Sequence, residues 1–193
     1  MNFAPQLKRF YRGSANFEAA LIDDLGPAHI AIHDTAYGDS PTSHLFWSIS
    51  DCTRLSSTVD RQSRVYNSQE IELRFRADFP LIDGVEIPLT VERVLVAGSA
   101  DQIVSESQPE ASIPVFTTEL WEGDAYLCGS HDASPVLTLF DDAIILQFES
   151  NYDLTWYGKN AGILLDQDKR LIGVAYRNLS LDIKALLRGY GRR

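Results

Sequence analysis

The residues best suited to chemistry lie in one stretch, ELWEGDAYLCGSHDASP, which covers residues 119–135. Cys128 and His131 have the C-x-x-H spacing of a zinc-ligand pair. Three carboxylates lie near this pair in the sequence: Glu122, Asp124 and Asp132. A structural zinc site usually takes four ligands from two such pairs, and the only other cysteine, Cys52, has no histidine beside it. The ligand set is therefore short, and we expect no metal and no other cofactor.

Two catalytic alternatives depend on the same stretch. A metal-assisted hydrolase could use Cys128, His131 and the nearby acids if folding brought a further histidine to them. A nucleophilic triad is disfavoured, because Ser130, His131 and Asp132 are consecutive and the side chains of sequence neighbours diverge. The chain contains no glycine-rich phosphate loop and no G-x-S-x-G motif. We therefore assign no catalytic residue, and the hydrolase remains the enzymatic alternative.

The net charge of −10 is concentrated in one segment. Residues 94–158, which we call the acidic segment, contain no lysine or arginine. Their eleven acids are Asp101, Glu106, Glu110, Glu119, Glu122, Asp124, Asp132, Asp141, Asp142, Glu149 and Asp153. The remaining 128 residues hold all 17 lysines and arginines against 16 acids. A surface formed by the acidic segment would repel phosphate and attract cations, so we expect a basic protein as the partner and not a nucleic acid.

The leading functional hypothesis is a non-enzymatic binding module that neutralises a basic protein, as an inhibitor or an immunity-type protein neutralises a toxin. Interfaces combine buried aromatic anchors with a polar rim, and the acidic segment interleaves both kinds of residue. The predicted partner-binding residues are Glu119, Trp121, Glu122, Asp124, Tyr126, Asp132, Asp153 and Trp156. Two alternatives stay open: the acids only keep the protein in solution, or the chain is a structural subunit of a larger assembly.

The elements that must position these residues follow from hydrophobic periodicity. Apolar spacing predicts short N-terminal helices over residues 3–11 and 16–25. Farther along, the apolar positions alternate, most clearly in EIELRFRAD at residues 70–78, which predicts strands with one face on a core and one in water. Ser180 is expected to cap a final helix that Gly189 ends. The predicted fold class is α+β, a mainly antiparallel β-sheet (sandwich or curved sheet) with these terminal helices.

Turn signals set the organisation of the chain. Turns are predicted at residues 80–84 and 167–169, and residues 98–114, rich in serine, alanine and acids with two prolines, predict a long surface loop or linker. We expect a single domain over residues 1–193, with 98–114 as the alternative sub-domain boundary.

The composition also predicts the compartment. The N-terminus meets charges too early for a signal peptide, and no apolar run reaches the roughly 18 residues of a membrane span. Cys52 and Cys128 are expected to be free thiols in a reducing compartment. The prediction is therefore a cytoplasmic protein with no membrane partner, and the sequence leaves its oligomeric state open.

Overall fold

The computed structural model describes twelve parts of the chain: residues 4–22, 29–35, 44–51, 71–78, 81–88, 94–96, 105–107, 112–121, 126–131, 135–141, 143–149 and 151–190. These parts contain fifteen strands, a 3-10 turn at Glu119–Trp121 and one helix, α1, at Leu181–Tyr190. The strands are β1 Leu7–Arg12, β2 Phe17–Ile22, β3 His29–Asp34, β4 His44–Asp51, β5 Ile71–Arg76, β6 Ile82–Pro88, β7 Val94–Val96, β8 Ser105–Ser107, β9 Ser112–Phe116, β10 Tyr126–His131, β11 Val136–Leu139, β12 Ala143–Gln147, β13 Asp153–Tyr157, β14 Ala161–Leu165 and β15 Leu171–Arg177.

The described strands form three sheets. A six-stranded sheet has the order β10-β4-β5-β6-β3-β2, and a seven-stranded sheet has the order β7-β11-β12-β15-β14-β13-β8. The third is a two-stranded ribbon of β1 and β9. Neighbouring strands are antiparallel except at β10–β4, β7–β11 and β8–β13, three pairs at sheet edges. The prediction of a mainly antiparallel β fold with a C-terminal helix is therefore confirmed.

The two predicted N-terminal helices are wrong. Residues 7–12 form β1, which pairs with β9, and residues 17–22 form β2, which pairs with β3. Both segments are short, and isolated helices below about 12 residues are marginal in water even when their sequence favours them. Pairing with β9 and with β3 supplies a row of backbone hydrogen bonds along one side of each strand, so tertiary context overrides the local apolar spacing.

The seven-stranded sheet is buried on both faces in its centre. All residues of β14 are buried, and β12, β13 and β15 each have one residue that is not fully buried, at one end of the strand. One face joins the main core, which also contains Trp47 of the six-stranded sheet and Phe116 of the ribbon. The other face carries a second cluster: Ala143, Ile145, Leu154, Trp156, Leu164, Ile172 and Ala175. Two buried faces explain why strands such as AIILQ are continuously apolar rather than alternating.

Two predicted turns have different outcomes. The turn at residues 167–169 is confirmed: β14 and β15 form an antiparallel hairpin, and Asp166 Oδ1 accepts hydrogen bonds from the Asp168 and Arg170 amides at 2.9 and 2.8 Å. The turn at residues 80–84 is wrong in part, because β6 already begins at Ile82. Asp83 and Gly84 are turn formers by composition, but here they lie in a β-bulge within the sheet.

The predicted long loop at residues 98–114 is also wrong in part. Ser105–Ser107 form β8 beside β13, and β9 begins at Ser112 beside β1. The rest of that range lies outside the described residues. Short serine-rich strands at sheet edges give no apolar alternation, so the sequence pattern does not distinguish them from a loop.

Helix α1 begins as predicted. The Ile183 amide donates to Ser180 Oγ at 3.3 Å, which is the expected N-cap contact, and Ile183 and Leu187 are buried. Gly189 lies inside the helix, which ends at Tyr190, so the helix continues two residues past the predicted end at Arg188. Within the described parts of the chain, no helix has both the length and the apolar character needed to cross a bilayer.

The turn after β13 joins the two large sheets. The Asn160 side chain accepts a hydrogen bond from the Phe17 amide at 2.9 Å and donates one to the Phe17 carbonyl at 2.6 Å. Gly158 has a φ of 56°, and a Cβ there would lie 2.7 Å from the Ala15 carbonyl oxygen. The turn therefore needs glycine both for its left-handed backbone and for close approach to the segment before β2.

A glycine in β15 tests the packing of the seven-stranded sheet. Gly173→Ala is expected to lower the free energy of unfolding by about 3 kcal/mol, because the new Cβ would overlap with the Leu146 carbonyl oxygen. Denaturant titration followed by tryptophan fluorescence measures the change.

The matched control is Gly189→Ala in α1, where nothing lies within 4 Å of the new Cβ. It should leave stability unchanged or raise it by about 0.5 kcal/mol, because alanine favours helix. Equal losses in the two variants would contradict the packing described for β15.

Candidate protein-binding surface

The predicted partner-binding residues fall into two groups on different sheets. Glu119 and Trp121 lie in the 3-10 turn before β10, which starts at Tyr126 and belongs to the six-stranded sheet. Asp153 and Trp156 lie on β13 of the seven-stranded sheet. The other three lie outside the described residues: Glu122, Asp124 and Asp132. The acidic segment thus contributes to two surfaces rather than one strand-turn-strand unit.

Trp121 attaches the 3-10 turn to the six-stranded sheet. Its side chain is 6% exposed, and its indole Nε1 donates a 2.9 Å hydrogen bond to the Phe46 carbonyl of β4. Its ring lies 5.2 Å from that of Phe75 in the core. In this conformation the indole is a core residue that fixes the turn, and its predicted contact with a partner stays a prediction.

The turn that Trp121 fixes presents Glu119 to solvent. Glu119 is exposed and forms no ion pair with any described residue. The turn is also held at its start, since the Thr117 amide donates to the Gln6 carbonyl and the Trp121 amide donates to the Thr118 carbonyl, both at 2.9 Å. Because this backbone is already fixed, binding through Glu119 costs little backbone entropy, which favours affinity.

The second group pairs an exposed acid with a buried indole. Asp153 is exposed and forms no ion pair with the described part of the chain. Trp156 is 6% exposed and lies over Gly162, where a Cβ would be 2.9 Å from the indole ring. The Arg177 guanidinium stacks on the same ring, 3.7 Å from its centroid, which is cation–π geometry. Trp156 therefore packs inside this chain, and its predicted partner contact stays a prediction.

The metal-site alternative depends on β10, which contains both Cys128 and His131. The strand runs parallel to β4, with Cys128 opposite Ser48 and His131 opposite Asp51. Three residues of an extended strand separate the backbone positions of Cys128 and His131 by about 10 Å. The ligand atoms of one zinc ion lie much closer together than that, because each is bonded directly to the metal. Among the described residues, no group of three or more His, Cys, Asp or Glu could hold a metal ion. The hydrolase alternative stays a prediction.

A polar network not identified from the sequence lies on the six-stranded sheet. Asp83 Oδ2 accepts a hydrogen bond from His44 Nε2, and Oδ1 accepts one from Arg74 Nε, both at 2.9 Å. The Asp83 side chain is 12% exposed, so its charge is compensated mainly by these two partners. The network connects β4, β5 and β6.

A β-bulge in β6 creates this network. Phe75 is opposite Ile82 and Arg74 is opposite Gly84, so Asp83 is an extra residue without a direct partner on β5. A bulge re-aims a side chain, and here it turns Asp83 toward Arg74. Gly84 has no Cβ to obstruct the guanidinium, which would otherwise lie about 3.1 Å away. The Asp-Gly pair inside an alternating run was the sequence signal for this bulge.

Chemically, the network can hold an imidazole in one orientation. When His44 is neutral, a carboxylate that accepts from Nε2–H favours that tautomer, in which Nδ1 is the acceptor nitrogen. The His44 side chain is 27% exposed, so it is partly accessible to solvent. The same contacts also connect the side chains of β4, β5 and β6, and we assign the network this structural role.

Two buried phenols lie where β2 meets the seven-stranded sheet. The rings of Tyr157 and Tyr176 contact Phe17, with centroids 6.3 and 5.3 Å from its ring. Burial raises the pKa of Tyr157, and the nearby Asp34 carboxylate raises it further. Burial, then Tyr157 and Asp34, raise the pKa of Tyr176 well above its usual value. Both phenols therefore stay protonated across the physiological pH range.

Comparison with known proteins gives no relative from which a role could be transferred. No protein-family model matches the chain, and no curated protein is significantly similar to it. The function is therefore argued from charge and geometry.

The buried Asp83 carboxylate generates a stability prediction. Asp83→Asn is expected to lower the free energy of unfolding by about 2 kcal/mol, because Arg74 and His44 both lose a charged acceptor. The control is Asp168→Asn in the turn between β14 and β15, where a side chain that is 65% exposed pairs at 3.3 Å with Arg170, itself 44% exposed. The control should cost less than about 1 kcal/mol. Equal losses by denaturant titration would contradict a special role for Asp83.

The buried phenols generate a prediction for alkaline pH. The pKa of Tyr176 in the folded protein is above the usual 10.0, so the folded state holds this proton more tightly than the unfolded state does. The contribution of Tyr176 to the free energy of unfolding is therefore complete below pH 10 and is lost as the pH rises above 10. Tyr176→Phe should therefore reduce the fall of unfolding free energy above pH 10 by about 1.4 kcal/mol per pH unit.

At neutral pH, Tyr176→Phe should cost little, because the buried hydroxyl has no hydrogen-bond partner among the described residues. Denaturant titrations at a series of pH values, with tyrosine ionisation followed by absorbance, measure both effects. An unchanged alkaline slope would show that Tyr176 is not buried in this way.

Proposed function

We propose that the protein is a non-enzymatic binding protein whose acidic segment engages a basic protein partner, in the manner of an inhibitor or an immunity-type protein. The observation that carries this proposal is the 65-residue run without lysine or arginine, which holds eleven of the 27 acids. Opposite charges on two surfaces steer association and exclude partners of the wrong sign.

The described ion pairs support the proposal by where they occur. Most of the paired cations pair with acids outside the acidic segment: Arg74 and His44 with Asp83, Arg76 with Asp78, and Arg170 with Asp166 and Asp168. One pair crosses into the segment, where Arg188 of α1 lies 3.2 Å from Asp141. Glu119 and Asp153 remain exposed without a described ion-pair partner, so their charges are available to a basic surface.

The surface around Glu119 is the better docking site of the two. Its turn is fixed by the Trp121 hydrogen bond to β4, and Glu122 and Asp124 follow directly in the sequence. These are three acids within six residues of the sequence, a density of negative charge that favours contact with lysines and arginines. We further propose a reducing, cytoplasmic setting, because the chain carries only two cysteines.

The proposal is tested with a basic protein of known structure, hen lysozyme, as the probe. Association measured by biolayer interferometry at low and high salt should slow strongly as salt rises, because screening removes long-range steering. The triple variant Glu119→Gln, Glu122→Gln and Asp124→Asn should weaken binding by about tenfold, if each charge contributes a few tenths to one kcal/mol.

The matched control removes three acids outside the acidic segment: Glu18→Gln, Asp60→Asn and Glu70→Gln. Both triple variants change the net charge by the same amount, so only location differs. A loss confined to the first variant supports the proposal. Equal losses would show that net charge alone governs binding, and the absence of salt-sensitive binding would overturn the proposed function.

A further inference from the structure

Strand β2 lies at one edge of the six-stranded sheet. It pairs with β3 on one side, and the described order of that sheet ends at β2 on the other. At the start of the strand, the Asn160 side chain occupies the outward backbone groups of Phe17. Successive residues of a strand direct their amide and carbonyl to alternate sides, so Ala19 and Leu21 also direct theirs outward. No described residue forms a hydrogen bond to these outward groups.

The other described edges carry features that prevent pairing between molecules. β1 has a bulge together with exposed lysine and arginine side chains, and β9 contains Pro114. β7 and β8 are only three residues long, and β10 is weakened by Gly129. β2 has six residues in regular register without lysine, proline or glycine. Glu18 is its one charged residue, so β2 is the least protected edge that the structure describes.

Exposed apolar surface accompanies this edge. Only two large apolar side chains are exposed in the described ranges, Leu21 at 44% and Leu181 at 82%. Leu21 lies on β2 itself, and Leu181 begins α1, a helix that contacts β2. Where the chain is described, no hydrogen bond joins α1 to β2, so the helix does not satisfy the edge. An edge strand with unpaired backbone groups and exposed apolar side chains is a template for another strand.

We propose that β2 pairs antiparallel with β2 of a second copy, which makes a two-fold dimer with one sheet continuous across both chains. The edge is self-complementary in one register. With Ala20 on the two-fold axis, Ala19 of each copy lies opposite Leu21 of the other, and each such pair exchanges both backbone hydrogen bonds. A register centred on Ala19 would instead need Phe17, whose outward groups Asn160 already occupies.

The side chains of β2 suit this register. Ala20 is exposed and would meet its own copy in a non-hydrogen-bonded pair, where the Cα atoms are about 4.5 Å apart and a small side chain fits. Glu18 would lie opposite Ile22 of the second copy, so like charges are not directly opposed. On the other face, Leu21 would pack on Ala19 of the second copy, which removes exposed apolar surface from water.

The dimer has a salt dependence of its own. It brings together two chains that each carry a net charge of −10, so screening of their mutual repulsion should strengthen association as salt rises. The proposed binding of a basic protein should respond to salt in the opposite direction. Pairing of two short strands buries a small area, so we expect a reversible dimer that forms at high protein concentration.

Sedimentation velocity with the full chain tests the inference. As concentration and salt rise, the mass of the wild type should shift from 21.6 kDa toward twice that value. Ala19→Pro removes one outward amide and spares the amides that face β3, because proline is tolerated where an edge strand directs its N–H to solvent. This variant should weaken association at least about tenfold. Circular dichroism checks that it is folded.

A charge at the axis gives a second variant that does not alter the backbone. Ala20→Lys places two lysines opposite each other in the dimer and should weaken association about fivefold. The matched control is His33→Lys, which adds a lysine to the same exposed face on β3, one strand in from the edge. The control should associate as the wild type does.

Cysteine cross-linking tests the register. In Ala20→Cys, the two cysteines meet at the axis with a backbone spacing that fits a disulfide, so mild oxidation should give a covalent dimer on a non-reducing gel. Glu18→Cys is the control, because Glu18 is also exposed. In this register its two cysteines would be four residues apart along the strands, about 13 Å, which is too far for a disulfide. The wild type reports any cross-linking through Cys52 and Cys128.

Several outcomes would overturn the inference. These are a wild type that stays monomeric at all concentrations and salt levels, a folded Ala19→Pro chain that associates like the wild type, and cross-linking that is equal for the two cysteine variants. If Ala19→Pro does not fold, the lysine and cysteine variants decide. The dimer uses β2 and not the acidic segment, so it can fail while salt-weakened binding of lysozyme supports the proposed function, and the reverse also holds.

Discussion

The side chain of Asn160 is the contact on which the arrangement of the two large sheets depends. It takes the place of a strand beside Phe17, accepting from its amide and donating to its carbonyl. The amide of Arg177 at the end of β15 in turn donates to the Asn160 carbonyl at 2.8 Å. One residue therefore connects the edge of the six-stranded sheet to the end of β15 in the seven-stranded sheet. Buried backbone groups must find partners, so this junction tolerates no slip in register.

Strands could be predicted from the sequence where a single clear signal, such as strict apolar alternation or a turn between apolar runs, marked them. β5 alternates strictly because only one of its faces is buried, and the β14–β15 hairpin has a clear turn between two apolar runs. β1 and β2 were misread because short apolar spacing fits a helix as well as a strand, and only their partners β9 and β3 decide. β8 was missed because SES carries no apolar signal. Strands β12–β15 are buried on both faces because other parts of the fold cover them, and no local sequence pattern identifies those parts.

The candidate surface was predictable in charge but not in geometry. The count of acids located the acidic segment, yet it gave no sign that Trp121 and Trp156 would lie on different sheets with only 6% of each exposed. Aromatic residues that lie next to acids in the sequence are as compatible with a binding surface as with a core, and only the strand pairing decides between the two. The sequence did not predict the Asp83 network for a related reason. Its members are far apart in sequence, and a bulge, not spacing, brings Asp83 to His44 and Arg74.

Strand pairing usually mixes distant segments, so charge that is segregated in a sequence need not stay segregated in space. Here the described pairings place no lysine or arginine opposite an acid of the segment. β9 lies beside the basic β1 but carries no charged residue of its own, and β10 lies beside β4, which has no lysine or arginine. β11 pairs with the uncharged β7. Pairing brings three described cations opposite uncharged residues of the segment: Arg9 opposite Val115, Arg12 opposite Ser112, and Arg177, which is stacked on Trp156, opposite Ala143. Because neighbouring strands bring few cations to its acids, the segment keeps the field that a basic surface would meet.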